Sequence, residues 1–176
     1  LYFINLSSFL IIFWNWTLSF SEVKTLGIFV GNIIMFNKIF LSSDHGGFEL
    51  KEIVKSFLID NNFEHEDLGC SSLEPVDYPD FAKLLSKKIK DNNNSVGILF
   101  CGTGIGISMA ANRFPHIRAA LCTSVEMASK SRKHNDANVL ALGGRILEDK
   151  LALEIVKEFL QTEFEAGRHS LRVNKI

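Results

Sequence analysis

Cys101-Gly102-Thr103-Gly104-Ile105-Gly106 is the stretch with the most chemistry in it. A thiol stands directly before three glycines spaced two apart, and such glycines let backbone approach a ligand and take positive φ. Successive N–H groups followed by a helix N-terminus make an anion cradle. The same donors and dipole stabilise a thiolate on Cys101, which can then act as a base. A buried, inert cysteine in a tight strand-to-helix turn is the competing reading. Gly-x-Gly-x here has neither the dinucleotide fingerprint nor the Walker spacing. Asp44 precedes His45, so an acid can orient an imidazole. His134 stands in Arg132-Lys133-His134-Asn135-Asp136, after a helix, where a C-terminal cap is the plain alternative. Arg168 and Arg172 are four apart and would share one face of a terminal helix, as a solvated basic tail or as a clamp on a phosphate dianion. His65 and His116 lie in ordinary polar surroundings, and His169 adjoins Arg168.

These groups need a scaffold that gathers strand ends. Short apolar runs at 38–42, 63–68, 96–100, 118–122 and 139–142 read as strands. Between them, Phe48 to Asn61, Asp77 to Ile89, Ile107 to Arg113, Val125 to Arg132 and Glu148 to Phe159 read as helices. Strands alternating with helices predict an α/β fold: a Rossmann-like three-layer sandwich around a five-stranded parallel sheet. Such sheets bind ligands beyond the carboxyl ends of their strands. Asp44-His45-Gly46-Gly47, the Cys101 turn and Gly143-Gly144-Arg145 all follow strands directly.

Composition narrows the classes. Of 176 residues, 47% are hydrophobic and 22% charged, enough for a core and unlike a disordered chain. The net charge of −1, with no polybasic block, gives nucleic-acid binding no electrostatic footprint. Cys70, Cys101 and Cys122 are odd in number and widely spaced, which argues against a disulfide framework or structural metal and for a reducing compartment.

Residues 1–34 differ from the rest. They hold both tryptophans, Trp14 and Trp16, and their only charges are Glu22 and Lys24. A membrane anchor is the sharp reading, but Asn5, Ser7, Ser8, Asn15 and Thr17 interrupt the first apolar run. A signal peptide lacks its basic start and small-residue cleavage site. The preferred expectation is that Met35 is the natural start, 1–34 a hydrophobic leader outside the native domain, and 35–176 the working domain, with no membrane partner.

Several ordered motifs together resemble the B-type ribose-5-phosphate isomerases of the ribose/galactose isomerase family. They are Asp44-His45-Gly46-Gly47-Phe48-Glu49-Leu50-Lys51, Asp77-Tyr78-Pro79, Cys101 through Ser108, His134-Asn135-Asp136-Ala137-Asn138-Val139-Leu140, and Gly167-Arg168-His169 through Arg172-Val173. The resemblance covers residues 36–176 and implies aldose–ketose isomerisation of a sugar phosphate by way of an enediolate. It implies Cys101 as the carbon-acid base; some members place a glutamate where Ile107 stands here. It implies His134 as the ring-opening acid with Thr103 assisting, and the amides of Gly102, Gly104, Ile105 and Gly106 around developing negative charge. Asp44 and His45 would contact sugar hydroxyls or help open the ring, Asn135 would contact the substrate near the enediolate, and Tyr78 would wall the pocket. Arg145, Arg168 and Arg172 would grip the phosphate. No metal or organic cofactor is implied. The resemblance further implies a cytoplasmic homodimer or dimer of dimers, with sites shared between subunits. Allose or galactose 6-phosphate isomerisation, or a non-catalytic sugar-phosphate binder, are the alternatives; a binder needs no pairing of Cys101 with His134.

Overall fold

Alternation along the strands decides what each face of the sheet packs against. In the computed structural model, which describes residues 36–176, the strands are β1 (Lys38–Ser43), β2 (His65–Asp67), β3 (Ser95–Cys101), β4 (Ala119–Leu121) and β5 (Val139–Gly143). All pair in parallel in the order β2-β1-β3-β5-β4. Ile39, Leu41, Val96, Ile98, Phe100, Leu140 and Leu142 face one apolar layer, while Phe40, Leu99, Cys101, Val139 and Ala141 face the other. β3 is buried at every position, as a central strand covered on both sides must be. The leader, 1–34, and Met35 lie outside the described residues.

The helices are α1 (Phe48–Asp60), α2 (Tyr78–Asp91), α3 (Ile105–Ala111), α4 (Val125–Asn135), α5 (Asp149–Gln161) and α6 (Ser170–Val173), the last preceded by a tight turn at Gly167–His169. Leu50, Val54 and Leu58 of α1, Ala128 of α4, and Ile155, Val156 and Phe159 of α5 fill the first layer. Ala82, Leu85 and Ile89 of α2 and Ile107 and Ala111 of α3 fill the second. This is the expected three-layer α/β architecture.

Lys51, on α1, is fully buried, yet its ammonium lies 2.6 Å from both Glu52 and Asp67. Lys55 completes the cluster at 2.6 Å from Glu52 and 2.8 Å from Asp67. A buried ammonium is tolerated when paired this closely. At the β4 edge, Asn112 Nδ2 donates to Ala119 O and Asn112 Oδ1 accepts from Ala119 N–H, both at 2.8 Å. The side chain thus occupies the backbone groups that an open sheet edge would offer.

Three differences from expectation concern the candidate residues, each with a physical reason. α3 begins at Ile105 rather than Ile107, because Gly104, at φ +78°, makes the entry turn. α4 runs on to Asn135, so His134 and Asn135 lie in its last turn rather than beyond it. Arg132 holds that turn in place: its guanidinium donates to Ala137 O at 2.6 Å and to Thr162 O at 3.2 Å. Arg168 and Arg172 do not ride one regular helix, since Arg168 sits in the Gly167–His169 turn and Arg172 in α6.

Candidate active site

Three loops meet at the carboxyl edge of the sheet. They follow β1 (Asp44 to Gly47), β3 (Gly102 to Gly104) and β5 (Gly144 to Arg145). Asp44 N–H donates to Phe100 O at 3.1 Å, Gly144 N–H to Cys101 O at 2.8 Å, and Arg145 N–H to Gly102 O at 2.9 Å. The packing is backbone on backbone. A methyl group on Gly47 would lie 2.5 Å from the Phe100 carbonyl carbon, and one on Gly143 2.7 Å from that of Thr103. Only glycine fits at either position.

Cys101 ends β3 at 4% exposure, and its Sγ accepts a hydrogen bond from Gly104 N–H at 3.1 Å. The left-handed turn at Gly104 swings that amide back onto the sulfur. That N–H fixes the sulfur at the head of the glycine cradle. Ile107 is fully buried among Phe40, Leu99 and Ala141, within the hydrocarbon layer.

The other residues of this group surround the turn. Asp44 is buried, and its Oδ1 accepts from Gly47 N–H at 3.1 Å. His45 Nδ1 lies 3.1 Å from Val76 N and 3.2 Å from Val76 O, so the backbone of Val76 holds the ring in place. Thr103 Oγ1 accepts from Ile105 N–H at 3.3 Å. A methyl group on Gly106 would meet Tyr78 Cζ at 2.8 Å, so the phenol ring covers the first turn of α3. A methyl group on Gly102 would lie 3.4 Å from Arg145 Cδ and 3.5 Å from its Nη1, so this cation lies over the glycine turn. Asp44, His45, Tyr78, Cys101, Gly102, Thr103, Gly104, Ile105, Gly106 and Arg145 are therefore one assembly.

His134, Asn135, Arg168 and Arg172 are not part of it. α4 leaves the carboxyl end of β4 and returns to the amino edge, where Asp136 O and Asn138 O accept from Arg118 and Gly97. Gly97 and Cys101 are four residues apart on one strand, roughly 13 Å. Within one chain the imidazole and the thiol thus lie at opposite edges of the sheet.

The second group is built by the tail. Glu165 N–H donates to Lys133 O at 3.1 Å, which lays the tail against the last turn of α4. His134 and His169 stack with ring centres 4.3 Å apart and planes 4° from parallel. His134, Asn135, His169, Arg172, Val173 and Ile176 line a cavity of about 350 Å³. Arg168 Nε donates to His169 Nε2 at 3.4 Å. Burial first, then the neighbouring His134, Arg168 and Arg172, hold His169 below the usual histidine range, against the pull of Glu165. Among the described residues, no carboxylate lies within 4 Å of the Arg145, Arg168 or Arg172 guanidinium, and unpaired cations are free to take an anion.

Donor atoms of His134, Glu165 and His169 lie within 4.8 Å of one another, a spacing that a metal ion could bridge. Parallel imidazoles, however, aim their in-plane lone pairs along parallel lines rather than at one point, and Arg168 already uses His169 Nε2. The group is arranged for hydrogen bonding and charge balance. Sequence reasoning assigned no role to Glu165 or His169; their four-residue spacing beside Arg168 was the available signal.

The model of a family described as Ribose/Galactose Isomerase matches residues 39–176. A probable ribose-5-phosphate isomerase B of Mycoplasma pneumoniae is 48% identical over 143 residues, 81% of this chain and 94% of that protein. The ribose-5-phosphate isomerase B structure from Clostridium thermocellum is 50% identical with a TM-score of 0.77, over 78% of this chain and 93% of that one. The Mycoplasma genitalium enzyme, solved with bound ribulose-5-phosphate, is 43% identical with a TM-score of 0.76, over 78% of this chain and 92% of that one.

Proposed function

The chain belongs to the ribose/galactose isomerase family, and from that membership we propose that it interconverts D-ribose 5-phosphate and D-ribulose 5-phosphate through an enediolate, as a step of the non-oxidative pentose phosphate pathway. The observation that carries this is the Gly104 amide held on Cys101 Sγ inside the glycine cradle, with Arg145 alongside.

The chemistry divides between the two groups. Ribose 5-phosphate must first open its ring. His134 gives a proton to the ring oxygen as its bond to C1 breaks, with Thr103 assisting, while Asp44 and His45 hold the sugar hydroxyls. The Cys101 thiolate then removes the C2 proton, and the negative charge that develops on oxygen meets the amides of Gly102 to Gly106. Preorganised donors of this kind are often the largest single contribution to catalysis. The O2 hydroxyl proton passes to O1, and the Cys101 thiol returns its proton to C1, which completes the ketose. Asn135 contacts the enediolate region, Tyr78 walls the pocket, and Arg145, Arg168 and Arg172 hold the phosphate dianion. General acid–base transfer suffices for every step.

A working site requires Cys101 and His134 together, and in one chain they lie at opposite sheet edges. The reading therefore includes a second copy: the tail and α4 end of one subunit close the glycine cradle of the other, in a homodimer or dimer of dimers. Tyr78, Ile105 and Met109 are exposed around that cradle, in keeping with a partner surface there. We also read the enzyme as cytoplasmic. Three unpaired cysteines suit a compartment that keeps thiols reduced, and no helix among the described residues is long and apolar enough to cross a membrane.

The test is a coupled assay of the chain with ribose 5-phosphate, allose 6-phosphate and galactose 6-phosphate in parallel. Turnover of the pentose phosphate alone, or by far the fastest, is expected. Preference for either hexose phosphate would replace the substrate, and no turnover of any would leave a binder.

A further inference from the structure

Glu165 is fixed beside the ring-opening acid by backbone rather than by chance. Its N–H bonds to Lys133 O, the residue before His134, so the two side chains leave neighbouring points of one small scaffold. Its Oε2 lies 3.8 Å from His134 Nε2 and 4.0 Å from His169 Nε2. Those are ion-pair separations, of the kind that tighten when a substrate arrives. The stacked His169 ring, only 7% exposed, sets the plane of the His134 ring.

The protons can be assigned from the donors. Arg168 Nε donates to His169 Nε2, so that nitrogen is an acceptor and the His169 ring is neutral. Around His134 stand Arg168 and Arg172, both cations, and a neutral His169. Among the described residues, Glu165 is the carboxylate within 4 Å of both stacked rings. A carboxylate beside an imidazole both orients the ring and stabilises its protonated form.

We propose that Glu165 is a positioning residue for ring opening, holding the His134 imidazole oriented to deliver a proton to the sugar ring oxygen. Glu165 itself exchanges no proton: His134 loses one to the oxygen as the bond from that oxygen to C1 breaks, and the C1 hydroxyl proton passes to the Asp44 carboxylate that the isomerase reading places at the sugar hydroxyls. The inference rests on the isomerase reading and on His134 as the acid.

The experiment is Glu165→Gln in the full chain, with two substrates. One is ribose 5-phosphate. The other is 4-deoxyribose 5-phosphate, which lacks the hydroxyl that closes the furanose and is always open. The backbone bond to Lys133 survives the substitution, so the tail keeps its seat. On ribose 5-phosphate, kcat falls roughly tenfold, part of the 10²–10⁴-fold that a positioned acid supplies. KM does not rise, because removing a carboxylate beside the arginines cannot weaken their hold on a dianion. Turnover of the open analogue keeps its parental rate. A purely structural role would instead raise KM, since Arg168 and Arg172 ride the same tail. A raised KM with kcat intact, equal losses on both substrates, or no change at all would each overturn the proposal. Parent enzyme inactive on both sugars would instead fault the isomerase reading.

Discussion

The Gly104 amide nitrogen sits 3.1 Å from Cys101 Sγ, a donor aimed at a sulfur three residues earlier in the chain. That bond ties the sulfur to the glycine cradle, although Cys101 also packs within the apolar layer of Phe40, Leu99 and Ile107. If this is the base, Cys101→Ala removes C2 proton abstraction. Activity on ribose 5-phosphate should fall by roughly 10²–10⁴-fold with little change in substrate binding. A fully active variant would take Cys101 out of the mechanism.

His134→Ala should discriminate between closed and open sugars. Ribose 5-phosphate turnover should drop steeply, whereas 4-deoxyribose 5-phosphate, with no ring to open, should be largely spared. Equal losses on the two would assign His134 to binding or to the carbon-acid step.

The proposed sharing of the site between subunits makes an arithmetic prediction. Cys101→Ala and His134→Ala are each expected to be inactive. After mixing and subunit exchange, half the dimers are hybrids, and each hybrid holds one site with both residues intact. About a quarter of parental activity should return. Recovery of none after verified exchange would mean that thiol and imidazole come from the same chain.

Gly143→Ala probes the packing of the loops. The added methyl would lie 2.7 Å from the Thr103 backbone, where no flexible side chain can yield. A loss of about 1–3 kcal/mol is expected, the usual range for overpacking. Activity should fall further than stability, since the strain lands on the Cys101 turn. Urea melts and kcat of one preparation check both, and unchanged values would show that the β5 loop has room to move.

Acid stability should depend on the Lys51 cluster. Burial alone would raise the Asp67 carboxyl, but hydrogen bonds from Lys51 and Lys55 outweigh it and hold Asp67 below its ordinary value. Glu52 is lowered by the same two lysines, again against burial. A carboxylate whose folded pKa is depressed contributes stability above its unfolded value, about 4, and that contribution disappears as pH falls through the folded value. Urea midpoints of the parent should therefore decline below about pH 4, and Asp67→Asn should flatten that decline. Equal slopes for parent and variant would place the acid sensitivity elsewhere.

The chain's pattern alone determined the parallel sheet, its five strands and the carboxyl-edge position of the Asp44, Cys101 and Gly143 loops, because two-sided burial and short strand-to-helix turns leave local marks. The turn of Cys101 and its glycines was legible for the same reason: its shape follows from neighbours within six residues. The reach of α4 to Asn135 was not legible, since Arg132 holds that turn through Thr162, thirty residues away. Nor was the partnership of Glu165 and His169 with His134, which exists only because a backbone bond folds the tail onto Lys133. Tertiary structure alone separated the thiol from the imidazole within one chain. A helix that follows a parallel strand must carry its last turn back to the opposite sheet edge, and no spacing along the sequence records that distance.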